Sequence, residues 1–406
     1  ILIFGVLSMY GTLGGFKYGG TTMNVRDIPP AIGGIMFGPV VGAGSGLIGG
    51  VHRWFGVTAG PETREPCATA TFVIGLLGGL IWKFRKGALP SVRLAVGFAI
   101  FAAVLHMGFV TSYATEWANT YYFSNWGWLV KVLTYCFGTG IFVYVAHNLL
   151  RERELVRSKA AMESELAVAR DIQLNILPKV FPPYPERKEI ELHALLEPAK
   201  EVGGDFFDFF LVGEKRLALI LGDVSGKGVP GALFMAVTRT MFRSRNWASG
   251  TLSSNVEAVN RDLAADNGAC MFVTLFCAMG DLDTGEVEYC NCGHNPPFIR
   301  RNDGSLLALD EQLGPMLGVM LDAEYPSRRV TMAPGELIFM YTDGITEAED
   351  KEQRQYGEER LRQLLAEAGK SSTEALCKAL RQSVSGFAAG ADQSDDITML
   401  AFRYLG

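Results

Sequence analysis

The stretch Leu221-Gly222-Asp223-Val224-Ser225-Gly226-Lys227-Gly228 ends an apolar run that begins at Leu217. Such a run, bounded by glycines, reads as a buried strand leading into a tight turn. Its aspartate therefore sits where water is scarce, and a carboxylate there is costly unless something neutralises it. The pattern recurs in Val202-Gly203-Gly204-Asp205-Phe206, in Tyr341-Thr342-Asp343-Gly344 and in Asp395-Asp396-Ile397-Thr398. One Asp beside Gly is ordinarily a turn residue. Four such positions in one domain, each at a strand end, point to a shared cation. Oxygen donors without a His or Cys cluster favour Mg²⁺ or Mn²⁺ over zinc. A nucleotide-binding P-loop is excluded, because only three residues separate Gly222 from Gly226-Lys227 and Gly228 stands where Ser or Thr is required.

Around these stretches, strands are predicted over 190–196, 206–212, 217–223, 272–282, 286–292, 328–332, 337–342 and 397–402. Helical patterns cover 231–245 and 252–265, between the third and fourth strands, and 358–368 and 373–387 before the last. Meandering strands with helices gathered in pairs imply an α+β layered domain with largely antiparallel sheets. Its boundary is the proline group Pro178, Pro182, Pro183 and Pro185.

Upstream, residues 151–177 lack Gly and carry alternating charges, with Leu155, Met162, Leu166, Ala169, Ile172 and Ile176 at helical spacings. This narrow stripe suits pairing with a second copy in a coiled coil, a solvated spacer helix being the plainer alternative. Before Leu150 there are nine Lys or Arg and four Asp or Glu, and after it 28 and 39, so the net charge of −6 divides into +5 and −11. The first 150 residues are too apolar for a water-soluble domain and belong in a bilayer. Five spans are expected, at about 1–16, 28–51, 67–82, 94–110 and 128–150. Lys83, Arg85, Lys86 and Arg93 mark the cytoplasmic side, which puts Arg151 in the cytoplasm and Ile1 outside, with a sixth, truncated span expected upstream. Gly34, Gly38, Gly42, Gly46 and Gly50 recur every fourth residue and are expected to lay a packing groove along one helix. The acidic carboxy-terminal part argues against nucleic-acid binding. Seven scattered cysteines give neither a disulfide framework nor a paired zinc pattern, and none is followed six residues later by Arg, which removes the Cys-dependent phosphatase signature.

Asn24, Arg26, Asp27 and Pro29-Pro30, followed by Phe37-Gly38-Pro39 and Gly49-Gly50-Val51-His52-Arg53, resemble the five-transmembrane sensor domain of the LytS type. Arg53, on the expected outer side, is either an interfacial anchor paired with Glu62 or Glu65 or a contact for an undefined sensor ligand. Ala169 to Gln173 with Leu177-Pro178, Val202 to Asp205, Gly222 to Ala236, Cys292 to Pro296, Tyr341 to Glu347 and Asp395 to Thr398 together resemble the SpoIIE/RsbU branch of the PPM (protein phosphatase 2C-like) family. That resemblance implies an αββα sandwich and two Mn²⁺ or Mg²⁺ ions. It makes Asp223 their bridging ligand, with the Val224 carbonyl, Asp205, Asp343 and Asp395 completing the set and Asp396 the second choice for the last place. It also implies hydrolysis of phosphoserine or phosphothreonine by metal-activated water, on a substrate like an anti-sigma-factor antagonist.

Lys227 stands as a phosphate contact, a proton donor or a solvated turn lysine. His294 is expected to be a structural turn residue. The architecture expected is thus multidomain: an all-α polytopic membrane bundle (1–150), a helical dimerising linker (151–178) and the PPM-type domain (182–406). It would be a multi-pass protein of a bacterial inner membrane with its phosphatase domain in the cytoplasm. A catalytically inactive PPM-like binding module is the alternative. Gly203-Gly204-Asp205-Phe206 superficially suggests a diguanylate cyclase, but Phe206 stands where Glu is needed, and a sensor kinase fails for want of nucleotide-binding glycine motifs.

Overall fold

A computed structural model describes residues 1–18, 21–56, 61–123 and 126–406. The chain divides into two compact units, Ile1–Lys159 and Ala160–Gly406.

The first unit is helical: α1 (Leu2–Leu13), α2 (Ile28–Phe37), α3 (Pro39–Phe55), α4 (Arg64–Phe84) and α5 (Val92–Tyr113), then a 50-residue helix α6 (Gly127–Ile176) that passes the boundary at Lys159. Among the described residues α4, α5 and α6 are long and apolar enough to cross a membrane. The 28–51 run, expected as one span, is instead two helices. Gly38 takes φ +95°, a conformation few side-chain-bearing residues tolerate, and Pro39 lacks the N–H to continue the helix, so the chain turns back.

Neighbouring residues give the directions. Along α2, Asp27 meets Thr71, and Gly34 faces Gly75 to Gly79, so α2 runs parallel to α4. Along α3, Gly42 faces Gly75, Gly46 faces Thr71 and Gly50 faces Ala68, so α3 runs antiparallel to it. Helix α1 follows α3, with Ile1 beside Gly44 and Gly5 beside Ile48. Helix α5 opposes α4, through Gly78 near Phe98 and Cys67 near His106, and α6 opposes α5, through Gly140 near Val96 and His147 near Pro90. Ile1 therefore lies at the same end of this bundle as Arg151, which corrects the placing of Ile1 on the opposite side.

The glycines do pack helices, although Gly38 leaves the groove and lies against Trp82. A Cβ on Gly42 would fall 2.1 Å from the Gly75 carbonyl oxygen and 2.6 Å from Gly34 Cα, whereas one on Gly97 or Gly108 would meet nothing within 4 Å. G42A is therefore expected to cost about 1–3 kcal/mol, and G97A or G108A to be neutral or slightly stabilising. Thermal melting of the detergent-solubilised chain separates the two; equal shifts for G42A and G97A would contradict the packing.

The second unit contains two five-stranded sheets. The first has the order β8-β5-β4-β3-β2, from Arg328–Thr331, Glu286–Cys292, Val273–Asp281, Arg216–Val224 and Phe206–Val212. The second has the order β1-β10-β9-β6-β7, from Ile190–Glu197, Ile397–Tyr404, Leu337–Tyr341, Phe298–Arg300 and Leu306–Ala308. All pairings in the two sheets are antiparallel. One core lies between the sheets, with Leu192, Leu219, Phe276, Ile338 and Leu400, and continues under α7 (Val229–Ser244) and α8 (Leu252–Ala265) through Met235, Phe242, Val256 and Val259. A second core joins the outer face of the second sheet to α9 (Glu358–Glu367) and α10 (Thr373–Ala388) through Phe339, Met399, Leu361, Leu365, Leu376 and Leu380. The result is the expected α+β sandwich, helices outside and sheets inside.

Candidate active site

The first sheet supplies two of the aspartates. Asp205 precedes β2, and Asp223 lies in β3 one residue before its end; the paired register Phe206↔Gly222 brings the two strand ends together. The second sheet supplies the others: Asp343 follows β9, and Asp395-Asp396 precede β10, which pairs with β9. Asp223, Asp343, Asp395 and Asp396 line one cavity of about 350 Å³, with Val224, Lys227, Gly203 and Gly204.

Each carboxylate has a different environment. Asp205 is buried, and its Oδ2 accepts hydrogen bonds from the hydroxyls of Thr342 (2.7 Å) and Thr398 (2.5 Å). Burial, and then the charges of Asp223 and Asp396, hold it well above the usual carboxylate range despite those hydroxyls. Asp223 is pushed up to about 7 by burial and by Asp343, against a hydrogen bond with Asp205. Asp343 is raised by burial and by Asp395. Asp395 is more open and accepts from Lys227 Nζ at 2.9 Å, and the same ammonium donates to the Ser394 carbonyl at 3.0 Å. Asp396 is committed elsewhere: Oδ1 accepts from the Ala199 N–H (2.8 Å) and Oδ2 from the Gly204 N–H (2.9 Å). It clamps the loop that carries Asp205.

The two glycines before Asp205 are sterically required. A Cβ on Gly203 would fall 1.8 Å from Asp396 Oδ2, and one on Gly204 would fall 2.7 Å from the Val224 carbonyl oxygen. Among the described residues no three His, Cys, Asp or Glu side chains form a closed ligand cage. The donors facing the cavity nevertheless fit a hard divalent cation: carboxylates and a carbonyl, without imidazole or thiolate, crowded closely enough to raise one another's pKa.

His294 lies beside the site without facing it as an acid. Its Nε2–H donates to the Tyr341 carbonyl (3.1 Å), and its Nδ1 accepts from the Thr274 hydroxyl (3.0 Å). One neutral imidazole thus ties β4 of the first sheet to β9 of the second, and Asn291 holds its backbone on both sides. Burial lowers its pKa to about 4. Because the folded value lies below the ordinary one of about 6.5, the stability it contributes is complete above pH 6.5 and is lost as pH falls towards 4. The stability advantage of wild type over H294Q in urea unfolding should accordingly shrink by about 2–3 kcal/mol between pH 7 and 4. An advantage independent of pH would show that the histidine is not held neutral.

Several participants carried no legible signal. Gln173, Thr342 and Thr398 sit inside the quoted motifs without a role assigned to them. Asp208, buried in β2, binds Arg239 (3.1 Å) and Arg243 (2.7 Å) of α7 and so fixes the helix that follows the glycine turn. Gln173 reaches the Gly203 backbone from the end of α6. In the first unit, Arg53 is buried and donates to the Thr63 hydroxyl at 2.9 Å.

Residues 213–405 match the model of the family described as stage II sporulation protein E (SpoIIE). The carboxy-terminal domain belongs to the SpoIIE family. Residues 1–149 match the 5TMR-LYT membrane domain, so the chain joins a 5TMR-LYT region to a SpoIIE-type PPM domain. It is similar to the protein IcfG of Synechocystis sp., 33% identical over 264 residues, covering 58% of this chain and 41% of that protein. It is also similar to the phosphoserine phosphatase RsbU of Bacillus subtilis, 26% identical over 225 residues, covering 55% of this chain and 63% of RsbU. The chain thus spans about half the length of these relatives. The SiaA-PP2C domain of Pseudomonas aeruginosa shares the fold of the second unit, with a TM-score of 0.54 and 21% identity over 61% of this chain and 98% of that domain. Asp205 and Gln173 lie ahead of the segment matched by the SpoIIE model.

Proposed function

We propose that this chain is a membrane-bound, metal-dependent protein serine/threonine phosphatase. The observation that carries this reading is the convergence of Asp223, Asp343, Asp395 and the Val224 segment on one cavity, with Asp205 held behind Asp223. Asp205, Asp223, Asp343, Asp395 and the Val224 carbonyl are the residues that would hold two Mn²⁺ or Mg²⁺ ions. Asp395 is preferred to Asp396, whose oxygens are spent on backbone amides. When bound, such a pair would supply a water acidic enough to attack phosphorus and would offset the phosphoryl charge.

The protein's own groups prepare that site. Thr342 and Thr398 orient the Asp205 carboxylate. Gly226 and Gly228, at φ +88° and +80°, fold the turn that presents Lys227 to the cavity, where its ammonium would meet an anionic phosphoryl oxygen. His294 stays neutral and supports the two sheets.

Residues 182–406 form the catalytic domain in this reading, 151–178 a dimerising linker and 1–150 a sensor domain with an unidentified ligand for which Arg53 is a candidate contact. The exposed Leu155, Met162 and Ile172 support pairing of the linker with a second copy. The loop bearing Lys83, Arg85 and Lys86 lies at the Arg151 end of the bundle, which supports a cytoplasmic catalytic domain on an inner-membrane anchor. RsbU, named a phosphoserine phosphatase, supports a phosphoserine on a regulatory protein like an anti-sigma-factor antagonist as substrate. The test is phosphate release by the full chain with Mn²⁺ from a phosphoserine protein and a phosphotyrosine protein. Release from the first alone is expected; release from neither by folded protein would sink the reading.

A further inference from the structure

Gln173 lies in the last turn of α6, is buried, and spends its whole amide on one residue of the site loop. Its Nε2 donates to the Gly203 carbonyl at 2.6 Å, and its Oε1 accepts from the Gly203 N–H at 3.1 Å. Opposite, Asp396 holds the next amide, that of Gly204, and leaves no space beside Gly203 even for a methyl group. The segment Gly203-Gly204-Asp205 is thus gripped from two sides, by the end of the connector helix and by the residue next to Asp395. Gln173 closes the quoted Ala169–Gln173 stretch, and its contact with the loop thirty residues later is a matter of the fold.

We infer that Gln173 is a positioning residue that makes the geometry of the metal site depend on the docking of the last turn of α6. The inference rests on the phosphatase reading for the role of Asp205, and its geometry stands apart from it. Gly203 cannot follow a displaced helix end while Asp396 holds Gly204, so the strain falls on the peptide leading into Asp205. Without the Gln173 amide, the Gly203 N–H and carbonyl lose a matched partner in a buried place, and the loop samples positions from which Asp205 no longer backs Asp223. Leu177 offers a contrast. It is buried just beyond the same connector end, belongs to the first core and, being apolar, offers the loop no side-chain hydrogen bond.

The test is Mn²⁺ binding to the full chain in detergent by titration calorimetry, with wild type, Q173M and L177A, each shown to melt cooperatively without metal. The expected result is a Kd about tenfold weaker for Q173M, the worth of two modest buried hydrogen bonds, and a wild-type Kd for L177A despite its lower Tm. Should Q173M fail to fold, Q173E, which keeps the acceptor for the Gly203 N–H, is expected to bind at least about threefold more weakly. Equal affinity of Q173M and wild type would overturn the inference, as would an equal loss in L177A, which would mean general loosening. Absence of Mn²⁺ binding by wild type would overturn the metal-site reading itself and the inference with it.

Discussion

Replacing Asp223 by Asn is expected to lower kcat/KM towards a phosphoserine protein by at least about a hundredfold, the scale on which a single charge-stabilising group acts at a reacting centre. The substitution keeps size and shape and removes only the charge. It should not unfold the domain. Burial and Asp343 push the metal-free Asp223 carboxyl up to about 7, so its ionised form is a burden on the fold at neutral pH, and Asn relieves it. Metal-free D223N should therefore melt at or above the wild-type temperature while losing activity. The neighbouring pair gives a sharper comparison. D395N removes the partner of a half-exposed lysine and should cost activity with little stability. D396N keeps one acceptor oxygen but sets an NH2 donor against one of the two backbone N–H groups accepted at 2.8 and 2.9 Å, and should cost about 1–3 kcal/mol. A D396N variant with wild-type stability would contradict the division of roles between these residues.

The second large effect lies in the membrane half. Asp27 is fully buried at the start of α2 and holds four helices together. Its Oδ1 accepts from the Thr71 hydroxyl of α4 at 2.5 Å, His106 Nδ1 of α5 lies 2.5 Å from Oδ2, the Tyr135 hydroxyl of α6 donates to the same oxygen, and Arg26 Nε stands 3.6 Å away. D27A would leave a buried guanidinium, imidazole and phenol without their common acceptor. Breaking such a buried network from one side costs about 3–5 kcal/mol, against about 1 kcal/mol for the single hydrogen bond lost in T71V. Thermal or SDS-induced unfolding of the solubilised chain checks both. A D27A loss no larger than that of T71V would show that the cluster does not act as one unit.

The legibility of these features in the sequence followed physical range. Strands β1 to β5 and β8 to β10, and helices α7 to α10, were readable because each buries a whole run or face, and that burial fixes residue type along the chain. Phe298–Arg300 and Leu306–Ala308 are strands of three residues, too short to show a period. The turn at Gly38-Pro39 is hidden for another reason: hydropathy records how apolar a run is and not which way it travels, so two antiparallel helices sum to one long span. At the site, strand-end aspartates stood out because uncompensated charge there is expensive. Asp395 and Asp396 could not be separated by sequence, since the choice depends on which one meets the amides of Ala199 and Gly204, almost two hundred residues away. Gln173 stands inside a quoted motif, but helix propensity assigns it no task, and its contact with Gly203 is visible only in the fold.

If the aspartates hold metal ions, phosphate release must depend on a divalent cation. The chain of residues 1–406, stripped with EDTA and assayed on a phosphoserine protein, is expected to be inactive, to regain activity saturably with added Mn²⁺, and to show no such recovery as D223N. Undiminished release in excess EDTA, or equal recovery by D223N, would contradict the assignment of Asp205, Asp223, Asp343 and Asp395 as the metal-holding centre.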